Sequence, residues 1–222
     1  TLSSSSAASD VYKRQLVYGA RNTLGIAFLT TLLAFAVGGF CGLVAAIRGG
    51  WIDQGLSRLV DILMAIPQLI FALLILSVVG TNATSLVLVI ALLDASRVFR
   101  LSRAVAMTVV VQDFVEAARL RGEGLWWLVS REVLPNAAAP LIAEFGLRFC
   151  FVFLFISALS FLGLGIQPPT ADWGSMVRDN AVLITFGDIS PLLPALAVAL
   201  ITVSVNFVVD WVLHLSSGLK EC

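Results

Sequence analysis

Long apolar runs without a single charge recur at 22–47, 62–93, 149–171 and 189–209. A bilayer core about 30 Å thick needs roughly 20 mostly apolar residues in one helix. Each run can therefore cross, and the second is long enough to cross twice. Gly80-Thr81-Asn82 supplies a turn in its middle. The pattern predicts an all-α, polytopic membrane helix bundle with five spans at about 22–47, 59–79, 84–105, 138–165 and 190–213. Pro67 falls inside the second span, where a kink is tolerable if neighbours satisfy the freed carbonyl. Residues 1–15, TLSSSSAASDVYKRQ, are neither apolar enough for a signal-peptide core nor periodic enough for a helix. They are expected to be adaptor or linker sequence outside the fold, leaving 16–222 as the transmembrane domain.

Composition strengthens the membrane reading. Of 222 residues, 59% are hydrophobic and 13% charged, with mean hydropathy +0.98, whereas about a quarter of a soluble domain is charged. The net charge is zero, so no basic face exists to grip phosphates, and nucleic acid is not an expected partner. Cys41, Cys150 and Cys222 are far apart, which excludes a disulfide framework and a thiolate metal cluster.

Charge placement sets the expected orientation. Arg48 and Arg58 flank one loop, and Arg97, Arg100, Arg103, Arg119, Arg121, Arg131 and Arg148 surround another, whereas Gly80–Ser85 has no charge. Between Gln167 and Ser190, Arg178 faces three aspartates. Positive loops stay in the cytoplasm, so both basic loops and the carboxyl end with Lys220 are expected there. Five spans then leave Arg21 outside, and a preceding sixth helix would restore a cytoplasmic start.

The stretch at about 106–137 is longer than most helix connections. Phe114, Val115, Ala118, Leu125, Leu128 and Val129 recur at helical spacing among Asp113, Glu116, Arg119, Arg121 and Glu123. Gly122 and Gly124 divide it into two short helices, a bent amphipathic pair suited to a partner's groove. The alternative is a solvated loop with interfacial helices. Glu116 can accept charge-assisted hydrogen bonds or cap a helix, Ala117 and Ala118 permit close approach, and Gly122 permits the bend.

These residues carry a resemblance. Glu116-Ala117-Ala118, three residues, Gly122, then Val133-Leu134-Pro135 and Asn136 are similar to the EAA loop of binding-protein-dependent ABC importer permeases. The run 159–165, LSFLGLG, with Pro168-Pro169 and Asp172-Trp173-Gly174, resembles the dipeptide, oligopeptide and nickel branch, as do Gly19-Ala20-Arg21, Asp61, Pro67, Arg97 and Arg100. Glu132 departs from the pattern, standing where an aliphatic residue or histidine is usual. So do Val209 and Leu213, where Gly and Arg are frequent. The resemblance implies a six-helix permease subunit in a bacterial or archaeal cytoplasmic membrane, paired with a second permease subunit. Its EAA loop would be a coupling helix docked on one of two cytoplasmic ATP-binding subunits. A periplasmic or lipid-anchored substrate-binding protein would deliver peptides, related small solutes or nickel. No cofactor is expected on this chain; ATP and Mg would sit on the partner ATPases.

Other classes fare worse. HExxH and GxxxxGK[ST] are absent, and His214 is the single His, so neither a zinc protease nor a phosphate-binding ATPase is encoded. A Ser–His pair through Ser157 or Ser160 lacks a nucleophile elbow. A secondary carrier or channel is the remaining alternative. It would need ionisable groups at mid-membrane, whereas Asp61, Asp94 and Asp210 are expected at cytoplasmic ends, Asp94 pairing with Arg97. Gly38, Gly39 and Gly42, like Gly163 and Gly165, are expected to serve helix packing. Pro168, Pro169, Asp172, Trp173 and Gly174 form an external loop that either meets the binding protein or lies at the interface anchored by Trp173.

Overall fold

In a computed structural model, residues 2–167 and 169–216 are described, with side-chain surroundings described for 11–167 and 169–211. Among the described residues the chain is helical throughout, without a strand. α1 (Leu2–Ala34) passes through a π-helical turn, Phe35–Gly39, into α2 (Phe40–Arg48). α3 (Gly50–Ala65), α4 (Gln68–Val79) and α5 (Ala83–Val110) follow, then the short α6 (Asp113–Leu120). α7 (Leu125–Trp127) continues through a second π-helical turn, Leu128–Val133, into α8 (Leu134–Phe161). α9 (Trp173–Asn180) and α10 (Leu192–Ser216) complete the chain.

Three stretches are long and apolar enough to cross a membrane: Val11–Arg48, Leu125–Phe161 and Leu192–Trp211. The pair α3 and α4 brings the number to four. The remaining expected span, 84–105, corresponds to α5, whose first eighteen residues hold Asp94, Arg97 and Arg100 and are too charged to qualify on composition.

The expected span at 59–79 is two helices meeting at 86° rather than one kinked helix. The cause is local. Proline pushes the preceding residue out of the helical region, and Ile66 is extended at φ −92°, ψ 132°. α3 is then held across α5 by ion pairs from Arg103 to Asp53 and from Arg100 to Asp61, the latter at 3.9 Å.

α1 begins at Leu2, within the segment 1–15 expected to be adaptor or linker sequence. Tyr12 donates a hydrogen bond to the Ser190 carbonyl at 2.7 Å, and both Tyr12 and Leu16 pack on the core.

The small-residue expectation at Gly38 and Gly42 is met. A Cβ on Gly38 would stand 2.2 Å from the Ala95 carbonyl oxygen, and one on Gly42 2.7 Å from that of Phe99. Backbone thus touches backbone, and the pairing order makes α1–α2 and α5 parallel. Two large clusters dominate the core among the described residues. One holds Leu76, Leu86, Ile90, Phe153 and Ile156; the other, near α6, holds Leu43, Ile47, Val109, Val115 and Val133.

Candidate functional site

α6 begins after the extended Gln112, and Asp113 and Glu116 occupy its first turn, where negative side chains suit the helix dipole. Val115 and Ala118 are fully buried among α2, α5 and the second π-helical turn. Arg119 donates to the Ile47 carbonyl at 3.0 Å, tying α6 to the end of α2. The two alanines thus divide the work: Ala118 faces inward, while Ala117 is exposed beside Glu116.

The outward face is apolar where water should favour polar groups. Leu120 is 84% exposed, Val111 78% and Phe114 40%, with Ala117 between Phe114 and Leu120 at three-residue spacing. Leu134 and Pro135 are exposed near by in sequence at the start of α8. Leu120 on α6 and Val111 at the end of α5 escape a reading that sorts positions by one buried stripe; the signal for α6 is a second apolar arc through Phe114, Ala117 and Leu120.

Gly122 adopts φ +82° with no heavy atom within 4 Å of where its Cβ would lie. Its glycine is demanded by backbone conformation, not by close approach within this chain. The turn is braced by Arg121, which stacks over Trp127 at 5.6 Å and pairs with Glu123 at 4.0 Å and Glu132 at 3.8 Å. Glu132, the departure from the family pattern, therefore has a partner across the turn. After Gly124 the expected second short helix is instead the start of a 37-residue stretch, Leu125–Phe161. The helix that carries the span expected from 138 begins at Leu125.

At the other end, Asp172 is 0% exposed. One carboxylate oxygen accepts from the Thr23 hydroxyl and the other from the Ser175 backbone N–H, each at 2.9 Å. Trp173 is buried and donates from its indole nitrogen to the Leu16 carbonyl at 2.8 Å. A Cβ on Gly174 would lie 2.3 Å from the Ser157 carbonyl oxygen. Asp172, Trp173 and Gly174 therefore clamp α9 to α1 and α8 and do not face outward. Pro169 is exposed, and Pro168 lies outside the described residues. The apolar surface at this end is instead Val182, Ile184, Phe186 and Ile189. His214, Lys220 and Cys222 fall outside the residues whose side chains are described.

Asp94 is also placed differently from expectation. It lies eleven residues into α5, about 16 Å along the axis, and is 1% exposed. Its ion pair is with Arg148 of α8, not Arg97. Sequence alone groups Arg148 with the charges around the 106–137 connection, although it falls inside the span expected at 138–165, because the uncharged run starts one residue later. Among the described residues no three His, Cys, Asp or Glu side chains converge to hold a metal.

Residues 20–217 match the family described as binding-protein-dependent transport system inner membrane component. The dipeptide transport system permease protein DppC of Alkalihalophilus pseudofirmus is 32% identical over 90% of this chain and 66% of its own length. The di/tripeptide transport system permease protein DppC of Pseudomonas aeruginosa is 35% identical over 88% of this chain and 65% of its length. The chain thus spans about two thirds of these curated relatives. Among solved structures, an inward-facing MetNI methionine ABC transporter shares the fold with TM-score 0.73 at 18% identity, covering 90% of this chain and 95% of that one. An amino acid ABC transporter gives TM-score 0.67 at 19% identity, covering 94% and 97%. By the match over residues 20–217, the chain belongs to the family of inner-membrane components of binding-protein-dependent transport systems.

Proposed function

We propose that the chain is the permease subunit of an ATP-driven importer that moves peptides or related small solutes, with nickel as the other candidate of this branch, into the cytoplasm by alternating access. The observation that carries this reading is the outward face of α6, where Glu116, Ala117, Phe114 and Leu120 stand exposed on a short helix whose opposite side is plugged into the bundle. An apolar helix face beside a carboxylate fits a groove on another protein. Cytoplasmic ATP-binding subunits fill that role, one per permease subunit, and they hold ATP and Mg; this chain hydrolyses nothing and holds no cofactor. A second permease subunit completes the path, and a periplasmic or lipid-anchored binding protein delivers the solute. The relatives' dipeptide and di/tripeptide names support peptides over nickel.

Leu120→Asp places a charge in the centre of the proposed dock. ATP-binding subunits recovered with the detergent-purified permease pair should fall roughly 10- to 30-fold, the scale of a central interface residue worth about 2 kcal/mol. Full recovery would mean that α6 faces only solvent.

The Arg distribution places α6 in the cytoplasm and the segment near Ala171 outside. Single cysteines near Gly122 should then react with an impermeant maleimide only from the cytoplasmic side, and those near Ala171 only from the periplasm. The reverse pattern would remove the docking argument with the topology.

A further inference from the structure

Asp94 is buried, yet its environment is incomplete. One carboxylate oxygen has no hydrogen-bond partner among the described residues. The other stands 3.9 Å from an Arg148 nitrogen, beyond hydrogen-bond reach. Arg148 is engaged elsewhere: its Nε donates to Glu144 at 2.5 Å, and its guanidinium lies 5.6 Å from the Phe151 ring centre. A carboxylate held from water without its donors is costly. A shift of roughly 1 Å between α5 and α8 would bring Arg148 into hydrogen-bond range of it.

The surroundings permit that shift. Arg148 rides on the continuous stretch that starts at Leu125, immediately after the Gly122 turn, about 35 Å away along the axis. Between them lies the π-helical turn Leu128–Val133. A π turn holds a surplus residue, and its loss or migration advances the helix beyond it by about 1.5 Å. The other π-helical turn, Phe35–Gly39, lies against α5 at Ala95, next to Asp94. Both π turns line one open apolar groove of about 430 Å³, through Phe35, Ala36 and Gly39 on one side and Val129 and Ser130 on the other. A change of winding in either turn therefore acts on the same groove.

We propose that Asp94 and Arg148 form a two-position latch between α5 and α8, loose in this structure and hydrogen-bonded in another state of the transport cycle, so that Asp94 links movement at the α6 turn to the middle of the bundle. This rests on the importer reading. Asp94 is a positioning residue: it acts through α8 and touches no solute. Glu144 competes for the same guanidinium and keeps Arg148 paired when the latch is loose.

The test uses the complete transporter in proteoliposomes, with its partner permease, ATP-binding subunits and binding protein. Radiolabelled alanyl-alanine serves as the probe, and the readout is ATP hydrolysed per dipeptide imported. Asp94→Asn and Arg148→Gln should each raise that ratio about tenfold, and the double variant should raise it no further, since one latch is lost in all three. Asp94→Glu should recover part of the coupling. The thermal midpoint of Asp94→Asn should stay level, because the change removes a buried charge that already lacks a hydrogen-bond partner on one oxygen. A double variant with the wild-type ratio overturns the latch, as does failure of Asp94→Asn to assemble, which would mark the pair as structural. A wild-type complex whose ATP hydrolysis is stimulated by neither dipeptide, tripeptide nor nickel sinks the importer reading itself, and the latch with it.

Discussion

Gly122→Val in the assembled transporter lowers solute-stimulated ATP hydrolysis and transport together by roughly 5- to 150-fold, the equivalent of about 1–3 kcal/mol of backbone strain. The cause is conformational. At φ +82° a β-branched residue is an outlier, whereas the space around the position is empty within this chain. Substitutions of graded tolerance separate strain from crowding. Gly122→Asn should retain most activity because asparagine visits positive φ readily, and Gly122→Ala should fall between. If the glycine instead serves contact with a partner, asparagine fails as badly as valine. Membrane insertion and pairing with the second permease should persist in all three, as α6 is a surface element. Undiminished transport by the valine variant would make the turn a mere connection.

Gly38→Leu has the larger effect on the bundle itself. Even its Cβ would overlap the Ala95 carbonyl oxygen at 2.2 Å, and the obstruction is backbone, which no rotamer change relieves. Overpacking a tight contact costs about 1–3 kcal/mol and sometimes more. Here α1 and α5 must separate, so the detergent-solubilised protein should lose most of its monodisperse fraction and its thermal midpoint should drop by several degrees. Gly25→Ala is the internal comparison. Nothing lies within 4 Å of its Cβ position, and replacing a helix-interior glycine should leave the midpoint level or slightly raised. Equal damage from both would mean that glycine content, not the α1–α5 contact, is at issue.

What the sequence reveals follows the range of the interaction responsible. The apolar runs, the Gly80–Asn82 turn and the small residues at 38 and 42 are legible because bilayer thickness and backbone approach act on local composition. The 86° break is only half legible: Pro67 marks the place, but whether a proline kinks or ends a helix depends on what α3 packs against. Ala117 and Ala118 look alike in sequence and part only when α6 is docked on the bundle. Asp94 is misjudged because its partner, Arg148, lies 54 positions away on another helix, and helix rotation decides which charges meet. Asp172, Trp173 and Gly174 stand out in the sequence, yet their work is internal, since distinctive residues mark tight packing as readily as contact with a partner.

The clamp between Thr23 and Asp172 also fixes an order of events during synthesis. Its two ends are 149 residues apart in the chain, so at ribosomal speeds of roughly 5–20 residues per second α1 waits about 7–30 s for its partner to be made. A buried hydroxyl without an acceptor would be a liability over that interval. Thr23 avoids it because the Gly19 carbonyl of its own helix lies 2.8 Å away and can take its proton until the Asp172 carboxylate arrives, an arrangement available as soon as one turn has formed. α1 can therefore stand in the lipid as a self-satisfied helix, and capture of α9 becomes one of the closing steps of maturation, after α8 has built the wall against which Gly174 seats.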